Sequence, residues 1–168
     1  LLNAGFAVSV WNRTVNAVGP FIEKGASHLT HLENISSVQI IALCLANDEA
    51  VQSVAQTLLE NIQPHQIIID FSSSSVELTQ HLAAQAQSKG AHWIDAPVSG
   101  GVMGAEQGTL VIFAGGDAEV IQQLAPFFFF FSQRVTHMGN SGSGQATKIC
   151  NQLIVAATST LIAEAIAL

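Results

Sequence analysis

Apolar and polar positions alternate in blocks along the chain. Two runs, Val38 to Leu45 and Gln66 to Asp70, are apolar without a period of two, which predicts strands buried on both faces. Each leads through a polar loop into a longer mixed segment. Ala46-Asn47-Asp48 opens a helix over Glu49 to Glu60, with Asp48 as its candidate cap, and the serine run 72–75 opens another over Val76 to Lys89. Before them, Leu1 to Gly5 reads as the end of a helix closed by a glycine C-cap. Phe6 to Trp11 alternates as a strand, and Val15 to Lys24 reads as a short helix ending at Gly25. Further on, His92 to Asp95, Thr109 to Ala114 and Val135 to Met138 read as strands. Gly115-Gly116-Asp117 reads as a turn into a helix from Ala118 to about Phe128, and Ser143 to Leu168 as a long apolar helix. Strands alternating with helices predict an α/β fold on a largely parallel sheet.

Composition narrows the class. With 49% hydrophobic and 10% charged residues the chain has ample material for a core and does not read as disordered. A net charge of −7 with only five basic residues argues against nucleic acid as a partner. Cys44 and Cys150 stand far apart with no C-x-x-C and read as two buried thiols in a reducing compartment, which points to the cytoplasm. His28 and His31 are three apart, but no cysteine or carboxylate completes a metal set, and no metal is expected. The tail from Ile149 approaches the length of a membrane span. Asn151, Gln152 and Glu164 interrupt it, so it reads as a buried helix and not as a membrane anchor. Phe127 to Phe131 cannot all face one core, so some of these rings are exposed or cover a partner.

Two stretches carry candidate chemistry. Ser99, Gly100 and Gly101 follow the strand ending at Asp95. Two adjacent glycines let the backbone approach a ligand, and successive N–H groups with the Ser99 hydroxyl form either an anion nest or a plain turn. In the last helix Lys148 and Asn151 sit three apart and share a face, which suits a small carboxylate-bearing substrate or leaves a solvated lysine. Arg13, within Asn12-Arg13-Thr14 at the end of a strand, is either a solvated turn residue or a partner for a 2′-phosphate. The serine run is either an N-cap cluster or a ligand loop.

Asp-Ala-Pro-Val-Ser-Gly-Gly-Val-Met-Gly-Ala-Glu-Gln-Gly-Thr-Leu from Asp95 to Leu110, followed by Gly-Ser-Gly-Gln-Ala-Thr-Lys-Ile-Cys-Asn from Gly142 to Asn151, closely resembles the β-hydroxyacid dehydrogenase family. That family includes 3-hydroxyisobutyrate dehydrogenase and the glyoxylate, succinic and tartronate semialdehyde reductases, and the resemblance runs over nearly the whole chain. It implies a Rossmann-like, doubly wound, mostly parallel sheet lacking its first strand. Residues 1–141 would form an incomplete dinucleotide-binding domain, and residues 142–168 an interdomain helix opening an all-helical domain. It also implies NADP-dependent interconversion of a small 3-hydroxy acid and its aldehyde or keto acid. Lys148 would be the proton donor and acceptor, and Ser99, Gly100, Gly101 and Asn151 would bind the substrate. Asn12, Arg13, Thr14, Leu45, Ser72 and Ser73 would bind the cofactor, NADPH in preference to NADH because Arg13 stands where an acidic residue would hold the ribose of NAD.

The chain departs from the family's pattern at Leu45-Ala46, where a Leu-Pro pair is usual. It departs again at Ser72-Ser73 and Val76, where Ser-Thr and a proline are usual. No G-x-G-x-x-G follows a first strand. Gly142-Ser143-Gly144 does not replace it, because Thr147 stands where the third glycine belongs. The expectation is therefore a chain truncated at both ends, with a homo-oligomeric partner through the C-terminal helix. The alternative is a non-catalytic remnant with no intact cofactor site. Imine reductases share the implied fold but usually lack this lysine and this glycine loop.

Overall fold

The computed structural model describes residues 1–168. A short 3-10 turn, Leu2–Ala4, is closed by Gly5 in the left-handed region, as the glycine suggested. Strands β1 (Ser9–Val10) and β2 (Ser27–His28) form a separate parallel pair, with helix α1 (Gly19–Ile22) between them. The main sheet holds β3 (Ile40–Leu43), β4 (Ile67–Asp70), β5 (His92–Asp95), β6 (Val98–Ser99), β7 (Leu110–Gly115) and β8 (Ser132–Gly139). The other helices are α2 (Asp48–Asn61), α3 (Val76–Ser88), α4 (Gly101–Gln107), α5 (Ala118–Gln123), α6 (Ala125–Phe128) and α7 (Ser143–Ala167).

Strands β3, β4 and β5 are parallel, and β8 is parallel to β7. β7 runs against both β5 and β6, with Asp95 opposite Gly115, Val98 opposite Ile112 and Ser99 opposite Val111. β5 and β6 therefore follow each other along one edge of β7, and β8 takes the other. The connection from Gly100 to Thr109 is too short for a parallel crossover, which explains the reversal.

The period-two geometry of β4 and β5 splits the core into two layers. Ile68 and Trp93 face α2 and α3, joining Val51, Ala55, Leu58, Leu82 and Ala86. Ile67, Ile69 and Ile94 face the other way, against Ile112, Ala114, Val120, Ile121, Leu124 and Phe128. Helices thus cover both faces of the central strands, and β4 is buried along its whole length.

Several sequence expectations change. β3 is only partly buried, with Ala42 exposed, because it is an edge strand paired to β4 alone. The first strand shrinks to Ser9–Val10, and the segment 15–24 is a 3-10 turn followed by α1, with Pro20 in the first turn of α1. The helix expected over 118–128 breaks at Leu124, since Pro126 begins a new helix. Within the phenylalanine run Phe128 is buried, while Phe129 is 78% exposed. The remaining rings build an edge-to-face cluster that includes Phe71, 5.7 Å from Phe131, and Phe6, 5.3 Å from Phe130. Both cysteines are exposed, not buried: Cys44 falls just past β3, and Cys150 lies on an open face of α7.

The largest difference is α7. Its buried residues are Gly144 and Gln145, and from Gln152 onward every side chain is exposed. It was expected to be buried. Only its first turns reach the sheet, and no element of residues 1–168 lies against the rest. By length and composition α7 is apolar enough to cross a bilayer.

Candidate active site

The site is built at the C-terminal ends of β4 and β5. These strands end in register on two carboxylates, Asp70 beside Asp95, both fully buried. Asp70 accepts from the Ser72 N–H at 3.0 Å and the Ser74 hydroxyl at 3.4 Å, which shapes the loop from β4 into α3. Asp95 accepts from the Gly142 N–H at 2.8 Å and the Gln145 N–H at 3.0 Å. Gln145 donates its Nε2 to the Ser72 carbonyl at 2.8 Å and accepts from the Ser74 N–H at 3.2 Å. Burial pushes Asp70 up to about 6, against the lowering effect of its Ser72 and Ser74 bonds. Burial likewise raises Asp95, opposed by the backbone N–H groups it accepts from.

Glycine makes this packing possible. A Cβ at Gly115 would lie 2.6 Å from both Asp95 carboxylate oxygens, and one at Gly144 would strike Asp95 and the Phe113 carbonyl. Gly142-Ser143-Gly144 is thus a seat for the start of α7 on β7.

Lys148 lies one turn further along α7. Its Nζ donates to the Val98 carbonyl at 2.8 Å, and its burial lowers its pKa below the usual lysine range. Val98 and Ser99 form β6, and Gly100 and Gly101 follow with φ of 129° and 61°. Those angles favour glycine. Where the sequence offered an anion nest or a plain turn, the glycine pair opens a short helix, α4. The first N–H groups of a helix have no partner within it, so α4 presents donors next to β6. The fold therefore brings Lys148 to Val98, the residue just before Ser99-Gly100-Gly101. Asn151 is half-buried one turn beyond Lys148, with its amide donating to Gln152 at 3.2 Å.

A cleft of about 510 Å³ is lined by Lys148 together with Asp48, the serines 73–75, Gln145 and the α7 residues Ile149, Gln152 and Leu153 among others. Contrary to the sequence expectation, Asp48 does not cap α2. Asn47 does so, accepting from Ala50 N–H at 2.9 Å, because its extended backbone precedes the helix. Asp48, already inside the helix, instead accepts from the Ser75 N–H at 2.9 Å and hydroxyl at 2.5 Å. Ser72 accepts from the Leu45 N–H at 2.8 Å, joining the ends of β3 and β4. Ser72 is buried and braces Leu45 from behind, whereas Ser73 is exposed. Asn12, Arg13 and Thr14 form an exposed turn after β1, with Thr14 N–H donating to Asn12 at 2.8 Å.

The family model for the NAD binding domain of 6-phosphogluconate dehydrogenase matches residues 1–139. The 3-hydroxyisobutyrate dehydrogenase of Pseudomonas aeruginosa is 33% identical over 172 aligned positions, covering 100% of this chain and 58% of that protein. The chain belongs to the β-hydroxyacid dehydrogenase family. Another relative within this oxidoreductase family, the NAD-dependent L-serine dehydrogenase of Pseudomonas aeruginosa, is 31% identical over 100% of this chain and 58% of its own length. Among solved structures, the Mycobacterium tuberculosis 3-hydroxyisobutyrate dehydrogenase with L-serine superposes with a TM-score of 0.93 at 30% identity. That match covers 98% of this chain and 57% of the other. The imine reductase of Myxococcus stipitatus with NADP+ shares the fold, at 17% identity and a TM-score of 0.83 over 97% of this chain and 57% of the other. The chain therefore spans just under three fifths of the length of these relatives. The β-hydroxyacid dehydrogenase assignment makes residues 1–139 a nicotinamide-dinucleotide-binding domain.

The residues present include groups whose chemistry suits the two ends of such a dinucleotide, a cation for a phosphate and a hydroxyl beside a cleft. An exposed guanidinium follows β1, and an exposed serine and a cleft beside Lys148 follow β4.

Proposed function

We propose that this chain carries the cofactor-binding and proton-transfer half of an NADP-dependent oxidoreductase that interconverts a small 3-hydroxy acid and its aldehyde or keto acid. The observation that carries the reading is Lys148, partly shielded from solvent and held 2.8 Å from the Val98 carbonyl, in the strand that leads into the glycine-opened α4. Bound nicotinamide supplies or takes up a hydride. Lys148 gives a proton to the carbonyl oxygen in reduction, or takes one from the hydroxyl in oxidation. The α4 N–H groups and the Ser99 hydroxyl bind the substrate carboxylate, and Asn151 orients the substrate beside Lys148. Burial lowers the lysine pKa and so makes the neutral base more accessible in the oxidative direction. The names of two relatives support the 3-hydroxy acid class, one a 3-hydroxyisobutyrate dehydrogenase and one a dehydrogenase of L-serine.

Asn12, Arg13, Thr14, Leu45, Ser72 and Ser73 serve the cofactor, with Arg13 favouring the 2′-phosphate of NADP. Ser72 contributes through the shape of the loop and Ser73 through its exposed side chain. The test is Lys148→Ala in the enzyme that contains this chain. A fall in kcat of roughly 10²–10⁴ is expected, the usual range for acid–base catalysis. Turnover at the parent's rate would show that another group moves the proton.

A further inference from the structure

The helix that bears Lys148 has no N-cap of its own. Its N-cap residue is Gly142, with φ of 90° and no side chain to cap with. The acceptor is supplied from across the fold by Asp95, which takes the Gly142 N–H on Oδ1 and the Gln145 N–H on Oδ2. A single capping bond lets a helix turn about its axis. Two bonds from one planar, fully buried carboxylate do not, because rotation must break one of them. Gln145 adds a second clamp, its side-chain amide gripping the Ser72 carbonyl and the Ser74 N–H. It is 1% exposed, with its hydrogen-bonding groups filled by the β4–α3 loop.

Lys148 follows Gln145 by three residues. At about 100° per residue, a slip of one position would swing its amine away from β6 and the glycine pair. The glycines at 115 and 144 point the same way, since any side chain there would push the carboxylate or the helix out of this seat. A carboxylate is also the favourable group at this helix end, where the backbone dipole is positive.

We infer that Asp95 and Gln145 are positioning residues that together set the rotation of α7, and thereby aim Lys148 at the substrate bound on β6 and α4. This rests on the reading of Lys148 as the proton donor, and neither residue touches the reacting atoms. Gln145→Glu gives a sharp test, because it keeps the shape of the side chain but sets an oxygen against the Ser72 carbonyl. Only a protonated carboxyl can restore that hydrogen bond. The enzyme containing this chain is assayed in the reductive direction from about pH 9 to about pH 5, a span that brackets buried carboxyl titration. The expected result is a kcat lowered on the order of 10–10²-fold at the alkaline end, the size of effect a misplacement of about 1 Å produces. KM should stay within about threefold, and kcat should recover on acidification in a way the parent does not show.

Asp95→Asn is the second variant. It leaves one oxygen for two N–H groups, and should lose kcat without recovery at low pH. A kcat and pH profile like the parent's in whichever variant folds, with Lys148→Ala inactive, would overturn the positioning role. Parental turnover in Lys148→Ala would instead overturn the reading beneath it.

Discussion

Asp70→Asn tests the electrostatics of the strand ends. The Asp70 carboxyl is fully buried, and burial moves it from the ordinary 3.8 to about 6. Because the folded chain holds this proton more tightly than the unfolded chain, protonation favours folding. That contribution is complete below about pH 3.8, and it is lost as the pH rises through about 6. At 1.36 kcal/mol per pH unit, the loss amounts to about 3 kcal/mol. Asparagine keeps the geometry, since its oxygen can still accept from the Ser72 N–H and its NH2 can donate to the Ser74 oxygen. The variant should therefore show a flatter dependence of stability on pH between about 4 and 7. It should gain on the parent by about 1–3 kcal/mol at neutral pH, the lower figure allowing for desolvation of the amide. Denaturant titrations of both proteins at half-unit pH steps measure this directly. Parallel curves would refute the reasoning, as would a variant that is less stable than the parent at neutral pH by more than about 1 kcal/mol.

Further outcomes are expected elsewhere. Lys148 should give the reductive rate an alkaline limb below the usual lysine range and the oxidative rate a rise at the same pH, both measured by steady-state assays across pH and both absent in Lys148→Ala. Arg13→Asp should weaken NADPH relative to NADH by roughly 10–10²-fold, the equivalent of a charge-assisted contact of about 1.5–3 kcal/mol, as read by titration with each cofactor. Phe128→Ala should cost about 3–5 kcal/mol in thermal or chemical unfolding, whereas Phe129→Ala, with its ring in solvent, should change stability by about 0.5 kcal/mol or less. Both cysteines should react with a water-soluble thiol reagent in the folded protein at rates near those of the unfolded chain, and protection of either would contradict its exposure.

Period and punctuation in the sequence were enough for the central architecture. The apolar run through Ile67–Asp70 lies wholly inside, and α3 runs within a residue of its expected ends, with Ser75 as its cap. The glycine pair and Lys148 were visible as chemistry because unusual residue types stood at diagnostic spacings. Local pattern could not show partnership. It read β3 as buried on both faces because its residues are apolar, yet an edge strand with one neighbour leaves Ala42 in solvent. The same limit made α7 look like a core helix and the two cysteines look buried, since burial depends on which surfaces lie opposite.

The network beneath Lys148 was also hidden. Each of Asp70, Asp95 and Gln145 is ordinary in its own stretch of sequence. The only hint was a carboxylate closing each of two apolar strands. Asp95 meets the N–H groups of Gly142 and Gln145 across 47 and 50 residues, and Gln145 meets Ser72 across 73. Hydrogen bonds at such separations depend on where the folded sheet sets down the ends of its strands. The sequence alone thus determined which residues could carry the chemistry, because propensity and apolar period act locally. The tertiary structure decided how they are brought together, because a buried carboxylate can hold a helix only after distant backbone has been brought within about 3 Å of it.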